Sequence, residues 1–228
     1  MDLNGQLWWY TARAGGIVAW ALVTMSITWG LALSTKAFGK RPRPAWILDM
    51  HRYLGGLALV FTGVHVASIL LDGYVHFGLT DVLVPFASSW HPDAVAWGIV
   101  AMYLLLAVEL TSLARKQLPN KLWRRTHYLS FPLFVMATAH GVTAGTDATG
   151  PALFVLLAAG LAPVIGLLAV RLDSASAPPS PPKSAQAARF VRTSPAPTQP
   201  APSFGLHDGW QVESYPVESQ SPPVRSSA

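Results

Sequence analysis

The sequence predicts an all-α integral membrane protein: a five-helix transmembrane bundle (residues 1–172) followed by a disordered tail (173–228). Three observations predict it. Of 228 residues 51% are hydrophobic and only 12% charged, whereas soluble domains carry about 25% charged residues. Five apolar runs are each long enough to cross hydrocarbon roughly 30 Å thick, which takes about 20 helical residues. From residue 173 the composition turns abruptly to Pro, Ser, Ala and Gln.

The expected spans are Leu7–Leu33, His51–Leu71, Asp93–Ala114, Thr126–Thr143 and Pro151–Val170. The first follows MDLNGQLWWY, which has no basic n-region, and it is too long for a signal peptide, so it reads as a retained helix. Trp8, Trp9, Trp46, Trp90 and Trp123 fall near span ends, where amphipathic rings favour the interface. The tail, with SAPPSPPKSAQ and TSPAPTQPAPS, buries too little apolar area to offset chain entropy. Only FGLHDGW (204–210) within it could dock on something. No glycine-rich nucleotide fingerprint occurs, so the chain carries no dinucleotide domain of its own.

The +5 formal charge and pI near 9.7 could suggest nucleic acid, but the placement of the charges points to topology instead. Lys36, Lys40, Arg41, Arg43 and Arg52 flank the first connection. The third holds Arg115, Lys116, Lys121, Arg124 and Arg125, and the end of the chain holds Arg171, Lys183, Arg189, Arg192 and Arg225. The second and fourth connections contain Asp72, Asp81, Asp93 and Asp147 but no Lys or Arg. Fifteen of the sixteen basic residues therefore fall on one side, expected to be the cytoplasm. The N-terminus is then outside, the C-terminus inside, and the location the cytoplasmic membrane. Arg13, one turn into the first span, is expected to snorkel to the outer headgroups, or alternatively to pair with an acidic cofactor group there.

The chain has no cysteine, which excludes disulfides, thiolate metal sites, Fe–S clusters and covalently attached c-type haem. Histidine remains. Of seven, four form two pairs: His51 and His65 fourteen apart in the second span, His127 and His140 thirteen apart in the fourth. Both spans start at the same face, so His51 and His127 share the inner level, His65 and His140 the outer. Each pair is separated vertically by about 20 Å at 1.5 Å per residue. Two histidines per level suit axial ligation of one haem iron from both faces, whereas zinc would want four ligands together. His51, Gly55, Ala58, Thr62 and His65 lie on one helix face, which leaves a groove of small residues; tight helix packing is the competing reading of Gly55 and Ala58. His127 and His140 should be rotated by about 220° on an ideal helix. Pro132 between them predicts either a kink or a helix regular only after Ser130.

Arg52, Arg124 and Arg125 flank the inner histidines and are candidates to bind haem propionates, with topology as their other role. Glu109 is expected to pair with Arg115 or Lys116, a proton relay being the weaker alternative. His76 and His91 read as loop surface, although His91 could serve an electron exit; His207 is assigned nothing.

These features resemble the ferric reductase-like transmembrane domain family, which includes NADPH oxidases, ferric reductases and the haem subunit of the bacterial methionine sulfoxide reductase system. The resemblance rests on the two histidine pairs, on LDMHRY and WRRTHYLS, and on WYTARAGG near the start, and covers about residues 7–170. It implies two non-covalent b-type haems held by His51, His65, His127 and His140, and electron transfer from a cytoplasmic donor to an outer-face acceptor, ferric iron being one. The chain departs from the larger members in having five spans rather than six and no flavin or nicotinamide module. Flavin therefore enters only through a partner, and the donor is a separate cytoplasmic reductase or quinol. Other classes compatible with the sequence are a haem-binding sensor or assembly subunit, and a haem-free scaffold or transporter.

Overall fold

Apolar chain that crosses hydrocarbon must satisfy its backbone internally, which leaves the α-helix as the economical solution for these runs. The computed structural model describes residues 3–35, 37, 44–73, 76–145 and 150–176. Its helices are α1 (Leu3–Thr35), α2 (Pro44–Leu71), α3 (Leu79–Leu83), α4 (Pro92–Leu113), α5 (Asn120–His127), α6 (Ser130–Ala144) and α7 (Pro151–Ser176). No strand occurs among the described residues.

Four helices are long and apolar enough to cross a membrane: Gln6–Thr35, Ala45–Leu71, Pro92–Leu113 and Pro151–Ser174. The stretch expected as a further span, Thr126–Thr143, is built differently. It comprises the end of polar α5, a turn at Tyr128–Leu129, and the 15-residue α6. Pro132 is the third residue of α6, within the first turn, where a missing N–H leaves no intrahelical bond unmade. A continuous helix would have aimed that N–H at the Tyr128 carbonyl. Instead Phe131 N–H reaches Tyr128 O at 3.2 Å and Leu129 N–H reaches Thr126 O at 3.0 Å, the three-residue spacing of a tightened turn. Of the two outcomes expected at Pro132, the helix that becomes regular at Ser130 is the one formed.

The helices pair as two hairpins. α1 packs on α2 and α4 on α6, with α1 also touching α6 and α7, and α2 meeting α4. Leu22, Ile27 and Leu31 of α1, Leu54 and Ala58 of α2, and Phe134 of α6 share the core. Trp20 ties three helices: its indole N–H donates to Thr138 Oγ1 at 2.9 Å, its ring stacks on Phe134, and it lies against Gly160 of α7, where a Cβ would meet it at 2.5 Å. Large apolar side chains such as Val60, Val135, Phe154 and Ile165 face outward. That surface would promote association in water and suits hydrocarbon. Between α2 and α4 the chain folds back along α4, where the Tyr103 hydroxyl donates to the Leu83 carbonyl at 2.5 Å. α7 continues to Ser176, past the expected end of the bundle at 172; the remainder of the tail lies outside the described residues.

Candidate metal-ligating histidine pairs

The fold brings the four span histidines together two by two. The His51 and His127 ring centroids are 5.8 Å apart with planes at 81°, and those of His65 and His140 are 6.1 Å apart at 74°. The break at Tyr128–Leu129 makes this possible, because His127 ends α5 and His140 belongs to α6, so the rotation of one ideal helix does not apply. An imidazole nitrogen bonds a first-row metal at about 2.0–2.1 Å, and with about 1.1 Å from nitrogen to ring centre, two trans imidazoles sit about 6.2 Å apart. In each pair the ring separation leaves room for one metal ion between the imidazoles. Among the described residues no group of three or more His, Cys, Asp or Glu gathers as a metal cluster, so each level offers two ring nitrogens.

Hydrogen bonds orient three of the four rings. His51 Nδ1 lies 2.8 Å from the Ser26 carbonyl and 3.0 Å from Ser26 Oγ. His65 Nδ1 lies 2.6 Å from the Ala12 carbonyl, and His140 Nδ1 2.8 Å from the Ala94 carbonyl. A carbonyl can only accept, so Nδ1 carries the proton in each neutral ring and Nε2 keeps its lone pair for a metal. The register is regular: Ala12 and Ser26 are fourteen apart on α1, as His65 and His51 are on antiparallel α2. α1 thus backs the two histidines of α2, and α4 backs His140 of α6. His127 differs, for its buried Nδ1 has no hydrogen-bond partner. It stacks on Trp123 at 5.2 Å and 22°, and the Arg115 guanidinium sits over the same indole at 4.2 Å.

Close approach of rings to the backing helices requires missing side chains. A Cβ at Gly16 would lie 3.0 Å from His65 Nδ1, one at Gly30 3.2 Å from His51 Cε1, and one at Gly98 2.8 Å from both Nδ1 and Cε1 of His140. Sequence reasoning did not single out Gly30, Gly98, Ser26 or Ala94. Glycine inside an apolar span already has an ordinary packing explanation, and a backbone carbonyl leaves no mark in sequence. Gly16 did fall within the WYTARAGG stretch.

A family model described as ferric reductase like transmembrane component matches residues 15–138, more than half of the chain. The chain belongs to that family. The ferric reductase-like region includes His51, His65 and His127, while His140 lies just past its end. No curated protein and no solved structure matches the chain.

Around the ferric reductase-like pairs, the cationic candidates lie at the His51–His127 end. Arg52 is exposed and within 3.9 Å of Asp49; Arg124 and Arg125 are exposed on α5. Arg13, next to Ala12, places its guanidinium 4.5 Å from the Trp9 ring centre. Glu109 departs from expectation: its carboxylate packs on Gly55 of α2, where even a methyl group would collide with it. The half-buried carboxylate occupies the groove expected beside Gly55. His76 is exposed. His91 is exposed with φ 39°, caps α4, and meets Trp90 edge-on at 4.5 Å.

Proposed function

We propose that the chain is a transmembrane b-type cytochrome carrying two haems, His51 with His127 at the inner level and His65 with His140 at the outer. One observation carries this reading: facing imidazoles at two levels, spaced for one metal each, with Nδ1 of three rings turned to carbonyls so that Nε2 is left to ligate. Bound haem would supply reversible one-electron exchange at its iron. The chain's own part is to hold and orient. Ser26, Ala12 and Ala94 fix three rings by their carbonyls, Gly16, Gly30 and Gly98 give those rings room, and Arg52, Arg124 and Arg125 offer guanidinium groups to the inner propionates.

On this reading electrons enter from the cytoplasm, from a separate flavin reductase or from quinol, and leave to an outer-face acceptor such as ferric iron. The inward orientation of the C-terminus is part of the same proposal and rests on the positive-inside asymmetry. The test is the visible spectrum of the purified protein, oxidised and then dithionite-reduced. Two low-spin b-type haems per chain are expected, and a colourless protein refutes the reading. Vesicles with reductant inside and a membrane-impermeant acceptor outside then separate a relay, which passes electrons, from a haem-binding sensor, which does not.

A further inference from the structure

The two levels are not equivalent, and the difference lies at His127. His51, His65 and His140 each have Nδ1 within 2.6–2.8 Å of a backbone carbonyl, which fixes the ring and raises its basicity as a ligand. His127 Nδ1 is buried with no partner. The register shows where its partner is missing. On α4, Ala94 backs His140; thirteen to fourteen residues further along, the equivalent carbonyls are those of Ala107 and Val108. Both are met by the Thr111 hydroxyl, at 2.7 and 3.2 Å. His127 also ends the short α5, beside the Tyr128–Leu129 turn, whereas the other three rings project from the interiors of long or regular helices. Among the described residues its ring stacks on Trp123 and meets His51 edge-on, with no hydrogen bond at Nδ1.

We propose that His127 is the yielding axial ligand, so that the His51–His127 level is a binding site for small neutral π-acceptor molecules on reduced iron, carbon monoxide being the probe. With haem bound, carbon monoxide would take the iron position that His127 Nε2 gives up, a ligand exchange with no change of oxidation state, while His51 would remain the ligand tied to the Ser26 carbonyl. The freed imidazole rests against Trp123 at the end of the bundle where Arg124 and Arg125 are exposed. The outer level, with both rings tied to carbonyls, stays closed to the same molecule.

This inference rests on the two-haem reading, and its test distinguishes failure of one from failure of the other. The full-length haem-loaded protein is reduced and titrated with carbon monoxide, the difference spectrum being read against total haem. One adduct per two haems is expected. A double variant, His65→Ala with His140→Ala, keeps one haem and its carbon monoxide adduct; His51→Ala with His127→Ala keeps one haem and forms none. Trp123→Leu, which removes the stack without touching a ligand, raises carbon monoxide affinity severalfold in the otherwise native chain. Two haems that both refuse the probe, two that both bind it, or an affinity indifferent to Trp123→Leu would overturn the proposal while leaving the cytochrome intact. A protein without haem overturns the reading beneath it.

Discussion

His140 shows how little space the site leaves at single residues. Its ring is held between the Ala94 carbonyl, 2.8 Å from Nδ1, and Gly98 one turn along the same helix. An alanine there would put its Cβ 2.8 Å from Nδ1 and Cε1 and 3.0 Å from Cγ, all atoms of a rigid ring. Gly98→Ala should therefore push the ring off its carbonyl and weaken outer haem binding by about 10–100-fold, the usual cost of disturbing a ligand's supporting contacts; haem content per chain, falling from two towards one, measures it. Ser26→Ala makes the contrasting case. The acceptor for His51 Nδ1 is the backbone carbonyl, which the substitution keeps, so what is lost is the Ser26 Oγ contact with Nδ1 at 3.0 Å and the Oγ hydrogen bond to the His51 carbonyl at 3.3 Å. The expected cost is about 1 kcal/mol or less, with both haems retained, read from the thermal unfolding midpoint. Glu109 belongs at this scale too. A carboxylate packed on Gly55 inside a membrane bundle, with no ion pair among the described residues, is a candidate functional group. Glu109→Gln should leave haem content unchanged and make the inner reduction potential less dependent on pH, as spectroelectrochemistry at several pH values would show.

The α5–α6 junction decides whether His127 and His140 can each meet a histidine of α2. Pro132 cannot donate to the Tyr128 carbonyl and its ring would crowd it in a continuous helix, so the chain tightens at Tyr128–Leu129 and restarts at Ser130. Pro132→Ala restores the donor and permits an unbroken helix, on which His127 and His140 would be rotated about 220° apart. The expected result is selective loss of the inner haem, since His140 stays anchored to Ala94; a variant keeping both haems would show that packing, not the proline, sets the break. Sequence reasoning reached this far because proline chemistry is local: the spacing of thirteen demanded an interruption and Pro132 named its neighbourhood. It also singled out the four histidines that the fold brings together in pairs, the long apolar helices and the pairing across α2 and the α5–α6 stretch. It missed the backing carbonyls and the position of Glu109, which depend on how α1 slides along α2, and α4 along α6 and α2. No residue type announces those registers.

At the scale of the whole molecule, the length of α6 bears on how the chain crosses the bilayer. At 15 residues it rises about 22 Å, roughly 8 Å less than the usual hydrocarbon thickness. Mismatch costs fractions of a kcal/mol per Å, so local thinning around α6 costs a few kcal/mol at most, and the bundle that α6 shares with α1 and α4 can offset it. The alternative is worse placed. If α6 returned to the face it came from, α7 would run the other way and carry Arg171 and the basic residues after it to the face that α4's N-terminus shares, against the charge asymmetry. Crossing by α6 is therefore expected, with residue 117 on the cytoplasmic side and residue 150 on the other. The absence of native cysteine makes the check direct, because each introduced cysteine is unique. Gln117→Cys, Ser89→Cys and Gly150→Cys are labelled in intact cells with a membrane-impermeant maleimide and again after permeabilisation. Labelling from outside at 89 and 150, and at 117 only after permeabilisation, is the pattern of five crossings with the basic face inward. Labelling of 117 and 150 from the same face would leave four crossings and return His140 to the level of His127, which two stacked haems cannot accommodate.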